Sequence, residues 1–233
     1  MLLEIISIVI IFLIIKNIYE LYDYNPKADL IEIHKDNKAN ILENTLKKDI
    51  LVINNIIHKI PELNDLSFQS IHQNNPGYIM NHNNKYTAFE SIINNKVNIF
   101  NNAKIVEDLN LKSKLKEIYQ KISPEYSCNF KSHLSLFNGG FQVTPLKKNK
   151  HNWMGIGQIE GETIIYLINP KHKHSKYLNT GEIKKISMKI TLNRGKILLI
   201  PSEWYYFYET NNKNISFTIE YDNYFTYLFN LLR

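Results

Sequence analysis

The sequence contains little cysteine, glycine or proline. Its 233 residues include one cysteine, Cys128, which excludes a disulfide scaffold and any zinc site built from paired cysteines. Eight glycines and seven prolines are too few for a collagen-like chain or a low-complexity linker. A single thiol also favours a reducing compartment.

Apolar residues are plentiful by contrast. Hydrophobic residues make up 44% of the chain and charged residues 21%, which is enough to bury a core and excludes disorder for most of the length. The length fits one sizeable domain with some additional chain. A net charge of +6 would permit contact with nucleic acid or anionic lipid. Because no zinc finger, RNP motif or basic helix accompanies that charge, nucleic acid is not an expected partner.

Residues 1–22 begin with an apolar run, MLLEIISIVIIFLII, in which Glu4 is the only charge. A membrane-spanning helix needs about 20 mostly apolar residues, and this segment just supplies them. It lacks the basic start and the small-residue cleavage site of a signal peptide. A helix buried in a soluble protein is the alternative, but the apolar positions are continuous and not confined to one face. We expect a single-pass transmembrane anchor, with the globular part on the cytoplasmic side because lysines follow the run.

The remaining chain divides into two regions. Residues 23–123 are polar and mostly helical in pattern, with their best helix at 104–121 and short strand-like runs at 50–53 and 78–80. Residues 124–233 instead show short apolar runs separated by turn residues. The predicted strands and the closing helix are 128–137, 141–146, 153–159, 163–168, 186–192, 197–200, 204–209, 215–221 and 224–232. Eight short strands predict a mainly β fold, a sandwich or barrel on which the helical region packs.

Three sequence elements follow one another within residues 126–221. The first is TPLKKN (144–149), after an NGG turn; the second is Asn152 with QIEG (158–161) and a strand ending in proline; the third is Ile-Pro followed by WYY (204–206). In this order they resemble the Thr-Pro-x-His-x-Asp, Gln-x-x-Gly and Trp-Trp-His elements of the cupin-like, Jumonji C-type proteins. The resemblance implies a double-stranded β-helix, or jelly roll, and the best-known members of that family are Fe(II)- and 2-oxoglutarate-dependent hydroxylases.

The resemblance also implies that the metal ligands are replaced. Such an iron site uses two histidines and one carboxylate. By the resemblance, Lys147 stands at the first histidine, Asn149 at the carboxylate and Tyr206 at the second histidine. A protonated lysine has no lone pair, an amide is a poor substitute for a carboxylate, and a phenol ionises only near pH 10. We therefore expect neither Fe(II) nor 2-oxoglutarate to be bound.

The resemblance places further residues around the same pocket. These are Thr144, Asn152, Trp204 and Thr163, the last at the position where many relatives keep a lysine for 2-oxoglutarate. Lys147, Asn149 and Tyr206 can donate and accept hydrogen bonds among themselves. Lys147 would then be either part of a structural network or a cation presented to an anionic ligand.

These observations favour a membrane-anchored, catalytically degenerate cupin-like domain that binds or scaffolds a protein or a small anionic ligand. One alternative is an active Fe(II)/2-oxoglutarate-dependent hydroxylase with shifted ligands, for which His133, His151 and Glu209 are the candidates. Another is a soluble β-barrel that binds a sugar or a small anion in its mouth.

Overall fold

The computed structural model of the protein describes residues 2–22, 24–34, 37–82, 85–94, 98–123, 127–172, 179–210 and 213–232. Its helices are α1 (Leu2–Tyr22), α2 (Lys38–Leu46), α3 (Pro61–Asn64), α4 (Phe68–Asn74), α5 (Phe89–Asn94), α6 (Ala103–Asp108), α7 (Lys112–Ile122), α8 (Thr180–Ile186) and α9 (Tyr224–Leu232). Its strands are β1 (Leu30–Ile33), β2 (Ile50–Ile53), β3 (Ile79–His82), β4 (Lys85–Ala88), β5 (Ile99–Asn102), β6 (Ser127–Asn138), β7 (Gln142–Val143), β8 (Lys147–Lys148), β9 (Trp153–Glu160), β10 (Glu162–Ile168), β11 (Met188–Asn193), β12 (Ile197–Pro201), β13 (Tyr205–Thr210) and β14 (Lys213–Asn223).

Two β-sheets form the body of the protein, so the expected mainly β character is confirmed. The larger sheet has the order β1-β2-β12-β9-β14-β6-β5, and the smaller has the order β11-β10-β13-β7 with β8 also beside β13. β3 and β4 pair as a separate antiparallel hairpin. After β6 the chain passes repeatedly between the two sheets, which brings their inner faces together.

Seven of the eight predicted strands are present. Of the run predicted at 141–146 only Gln142–Val143 is a strand, β7, and β8 begins just after the run, at Lys147. Between them, the Oγ1 of Thr144 accepts a hydrogen bond from the backbone N–H of Tyr208 at 2.9 Å, which replaces a ladder bond. Pro145 has no N–H to donate, so the ladder cannot continue through it.

Residues 23–123 are less helical than expected. Besides their helices they supply β1, β2 and β5 to the larger sheet, where β2 pairs with β12 and β5 with β6. The predicted helix at 104–121 is two helices, α6 and α7, because Asn110 between them has a φ of 54°, in the left-handed region where a helix cannot continue. The expected boundary at residue 123 therefore does not separate a helical layer from a sheet layer.

Alternation along the strands decides which side chains enter the space between the sheets. On β14, Phe217 and Ile219 pack towards the helices, in a cluster with Leu115 and Ile118 of α7. Gly157 on β9 makes room for the Phe217 ring, which would overlap a Cβ at that position. The intervening residues of β14, including Glu220, face the other way, into the space between the sheets.

The two faces of β13 also differ. Tyr206 and Tyr208 pack in a cluster with Met154 and Ile156 of the larger sheet, so they face the interior. Phe207 faces outwards, where its ring stacks on Tyr166 with the centroids 4.7 Å apart.

The helix α1 packs differently from every other apolar segment. Its exposed large apolar side chains are Leu3, Ile5, Ile6, Ile8, Val9, Ile10, Ile11, Phe12, Leu13, Ile14, Ile15, Tyr19 and Tyr22. Eight of them are consecutive, from Ile8 to Ile15, so every side of that stretch is apolar and exposed. At the end of α1, the ring of Tyr22 meets Phe229 of α9 edge-on at 6.0 Å.

Among the residues that the structure describes, no helix combines the length and the apolar character that a membrane crossing requires.

Candidate ligand site between the sheets

Two of the three expected metal positions lie directly opposite each other. Lys147 on β8 and Tyr206 on β13 are cross-strand partners, so their side chains leave the sheet on the same face. Tyr206 is 6% exposed. Burial raises the pKa of its phenol, and the nearby charge of Glu220 adds to the effect, so the hydroxyl stays protonated. A half-buried ammonium and a neutral phenol therefore stand side by side.

The third position, Asn149, has a different task. Its Nδ2 donates to the carbonyls of Ile200 and Pro201, both at 3.0 Å, and its Oδ1 accepts from the backbone N–H of His151 at 3.0 Å. Within the described residues, no hydrogen bond joins Asn149 to Lys147 or Tyr206. The expected three-residue network is corrected accordingly: the amide of Asn149 fastens the end of β12 to the segment after β8.

Thr144 and Asn152 also hold strands together. The backbone N–H of Thr144 donates to the carbonyl of Tyr208 at 3.0 Å, which complements the bond that its hydroxyl accepts. The Oδ1 of Asn152 accepts from the backbone N–H of Asn223 at 3.3 Å. Both residues are near the space between the sheets, but their polar atoms contact the backbone.

Thr163 lies away from Lys147 and Tyr206. β10 and β13 pair so that Leu167 is opposite Tyr206, which puts Thr163 four residues further along, about 13 Å at strand spacing. Its Oγ1 donates to Gln158 at 2.9 Å and accepts from Asn214 Nδ2 at 2.6 Å. We call Gln158, Thr163 and Asn214 the neutral cluster. Thr163 thus does not share a pocket with Lys147.

Trp204 does lie in the interior, in the same apolar cluster as Tyr206. Its indole is 2% exposed, and among the described residues its Nε1 has no hydrogen-bond partner. A buried N–H without an acceptor is costly, so this donor is available to an acceptor group.

The largest concentration of charge in the interior was not predicted. His151 lies between two carboxylates: its Nδ1 is 2.9 Å from Asp222 Oδ2, and its Nε2 is 3.2 Å from Glu220 Oε2. The side chain of Asp222 is fully buried, and it also accepts from Asn129 Nδ2 at 2.8 Å and from the backbone N–H of Asn152 at 3.2 Å. We call His151, Glu220 and Asp222 the ionic cluster.

Burial and charge compete in the ionic cluster, and charge prevails. Burial alone would lower the pKa of His151, but its hydrogen bonds to Asp222 and Glu220 raise that pKa to about 9. Burial would likewise raise the pKa of Glu220, but the His151 imidazolium holds it below its usual range. At neutral pH the cluster is therefore an ionised histidine between two carboxylates.

A sequence signal for this cluster exists. Glu220 and Asp222 are two residues apart at the end of a strand that is otherwise buried, so both side chains emerge on one face. Two buried carboxylates on one face need a cation, and His151 supplies it.

The other candidate ligands do not assemble around His151. His133 on β6 is opposite Thr218 of β14. Burial lowers the pKa of His133, and its buried Nδ1 has no partner among the described residues. Glu209 faces outwards from β13, where its Oε1 is 2.6 Å from Lys184 Nζ and its Oε2 accepts from the Tyr166 hydroxyl at 3.0 Å.

No three His, Cys, Asp or Glu residues in the described part of the chain are placed to hold a metal ion.

No family model and no curated protein matches this chain.

The chemistry of the site therefore follows from its own residues. Lys147 and Tyr206 present an N–H and an O–H donor on one face, and the indole of Trp204, just before β13, has a third. Donors of this kind suit an oxygen-bearing anion, such as a carboxylate.

Proposed function

We propose that this chain is a membrane-anchored binding module built on a catalytically degenerate cupin-like domain. The observation that carries the proposal is the cross-strand pairing of Lys147 with Tyr206. In the Jumonji C-type resemblance these two positions belong to the histidines that hold iron. In this chain the two histidines are replaced by a cation, Lys147, and by a neutral phenol, Tyr206.

The strand order supports the double-stranded β-helix part of the proposal. A jelly roll winds eight strands through two facing sheets. Here β12, β9, β14 and β6 are consecutive neighbours in the larger sheet, and β11, β10, β13 and β7 are consecutive in the smaller. Strands from both ends of the region, β6 and β14, pair with each other along most of their length.

The exposure of α1 supports the membrane part. Its uninterrupted apolar stretch from Ile8 to Ile15 is about 12 Å long at 1.5 Å per residue, and it is exposed on all sides. An apolar surface of this extent is unfavourable in water, and insertion into lipid removes it. What insertion of α1 requires is a continuous apolar surface, and this requirement is the same whether the helix crosses the bilayer or enters only part of it. The globular part then lies at the membrane surface. The lysines that follow the apolar run favour its location on the cytoplasmic side.

The proposed ligand is a small anion or a protein segment that has an anionic group. Lys147 supplies the charge, Tyr206 supplies a second donor, and the ionic cluster already uses its own charges internally. Nucleic acid is not part of the proposal, and neither Fe(II) nor 2-oxoglutarate is needed for it.

Metal content and 2-oxoglutarate turnover test the proposal together. The full chain, purified in mild detergent, is reconstituted anaerobically with Fe(II), and bound iron and decarboxylation of the oxo acid are measured. We expect a folded protein without stoichiometric iron and without turnover. Stoichiometric iron with turnover would overturn the proposal in favour of the hydroxylase alternative, with His133 and His151 as the first ligands to examine.

A double variant serves as the matched control. Lys147→His with Tyr206→His puts two imidazoles on facing positions of β8 and β13, as the resemblance expects of an iron site. This variant should bind divalent metal more tightly than the wild type. Equal metal affinities would show that these positions do not correspond to a metal site.

A further inference from the structure

The helix α9 has an exposed apolar stripe. Tyr224, Leu228 and Leu231 are 65%, 55% and 64% exposed, and their spacing of four and three residues puts them on one face. The opposite face packs on β14 and β6 and buries Thr226. We call the three exposed residues the α9 stripe.

We propose that the α9 stripe rests in the headgroup–acyl boundary of a phospholipid bilayer, beside the point where α1 enters it. This inference rests on the proposed insertion of α1 and names a second lipid contact.

The position of α9 next to α1 carries the argument. The Tyr22 ring at the end of α1 meets Phe229 of α9 edge-on, and the two helices pack together. If α1 is in lipid up to this end, α9 lies at the bilayer surface. The free face of α9 then has the same apolar surroundings as α1.

The composition of α9 fits an interface. Its sequence, YFTYLFNLL, has no charged residue, and it combines leucine with tyrosine, which is enriched where hydrocarbon meets headgroups. Such a helix in water would expose apolar surface that continues the surface of α1.

A basic residue lies beside α9. The Nδ2 of Asn230 donates to the carbonyl of Lys150 at 3.0 Å, so the exposed Lys150 is held beside α9. An ammonium at this place suits the phosphates of the headgroups.

Spin-label accessibility tests the proposal on the full chain. Cys128→Ser removes the native thiol, and Leu228→Cys introduces a nitroxide site in the α9 stripe. Lys116→Cys, on the exposed side of α7, is the matched control. The protein is placed in vesicles of phosphatidylcholine and phosphatidylserine, and relaxation by oxygen and by a water-soluble nickel complex is compared. We expect the oxygen-to-nickel ratio to be several-fold higher at position 228 than at position 116.

The outcomes separate the two proposals. Failure of the wild-type chain to float with the vesicles would contradict the insertion of α1 itself. Flotation with equal ratios at positions 228 and 116 would overturn the contact of α9 while α1 remains inserted. Dipolar broadening between labels at position 228 would show a second copy on the α9 stripe and would also overturn the lipid contact.

Discussion

The two ends of the space between the sheets are closed by different chemistry. Strand β14 contributes to both ends, with Asn214 in the neutral cluster and Glu220 and Asp222 in the ionic cluster. Glu220 is six positions after Asn214 on the strand, which is about 20 Å at strand spacing. At the neutral end the Thr163 hydroxyl bridges the amides of Gln158 and Asn214, whereas at the ionic end a histidine is held as a cation between two carboxylates.

The difference shows how a polar interior can be stable in two ways. Neutral hydrogen bonds contribute about 1 kcal/mol each and do not depend on pH. A buried charge is stable only while its partner stays ionised, so loss of one partner is expensive and pH matters. We therefore expect the ionic end to be the sensitive one, and the following experiments test this comparison.

Removal of Asp222 should have the largest effect. Asp222→Ala leaves the His151 cation with one carboxylate and deprives Asn129 and Asn152 of their acceptor. We expect a loss of about 3–5 kcal/mol in the free energy of unfolding, measured by chemical denaturation of the full chain in detergent. The variant Asp222→Asn, which keeps an acceptor but removes the charge, should lose less. A change below about 1 kcal/mol in Asp222→Ala would mean that the charges do not stabilise this end.

The pH dependence of stability should follow His151. Its pKa in the folded protein is about 9, above the unfolded value of 6.5, so the folded state holds the proton more tightly. This contribution is complete below about pH 6.5 and is lost as the pH rises through about 9. We expect a loss of about 2 kcal/mol across this window, allowing for partial exposure of the ring.

The variant His151→Gln should lack that loss between neutral and alkaline pH. Glu220 acts in the opposite direction: its pKa is lowered in the folded protein, so its contribution is present above its unfolded pKa and is lost in acid. An unchanged alkaline profile in His151→Gln would assign the titration to another group.

The local parts of this architecture were predictable from the sequence. The strands of the second half and the helix α9 follow from alternating apolar residues and from turn residues, which act within a few positions. The run Ile50–Ile53 also fits a strand, but its place beside β12 depends on contacts nearly 150 residues away in the chain. No short-range pattern specifies that pairing, so β1, β2 and β5 were not expected in the larger sheet.

The site was less predictable because its hydrogen bonds join distant segments. Asn149 reaches the carbonyls of Ile200 and Pro201, which residue type alone does not indicate. His151 is close to Asn149 and Asn152 in sequence, yet its partner Asp222 lies on β14, 71 residues further on. An acidic pair on a buried strand predicts that a cation is required, but does not say which one.

The neutral end should respond more weakly than the ionic end. Thr163→Val keeps the shape of the side chain but removes the hydroxyl that bonds Gln158 and Asn214. We expect a loss of about 1–2 kcal/mol in the free energy of unfolding, with the same pH profile as the wild type. A loss as large as that of Asp222→Ala, or a shifted pH profile, would remove the distinction between the two ends.

The smallest effect on the free energy of unfolding is expected from a substitution of Lys147. This substitution distinguishes a structural cation from a cation that is presented to an anionic ligand. Lys147 is half-buried, and the described residues include no carboxylate within ion-pair distance of it, whereas its neighbour Lys148 is paired with Glu203. Lys147→Ala should therefore cost less than about 1 kcal/mol, and Lys148→Ala should cost more.

The charge of Lys147 is one of those that lower the pKa of His133, so its removal should raise that pKa, which NMR titration of the imidazole measures. A large loss of stability with an unchanged pKa of His133 would identify Lys147 as a structural cation and leave the anion site without its charge.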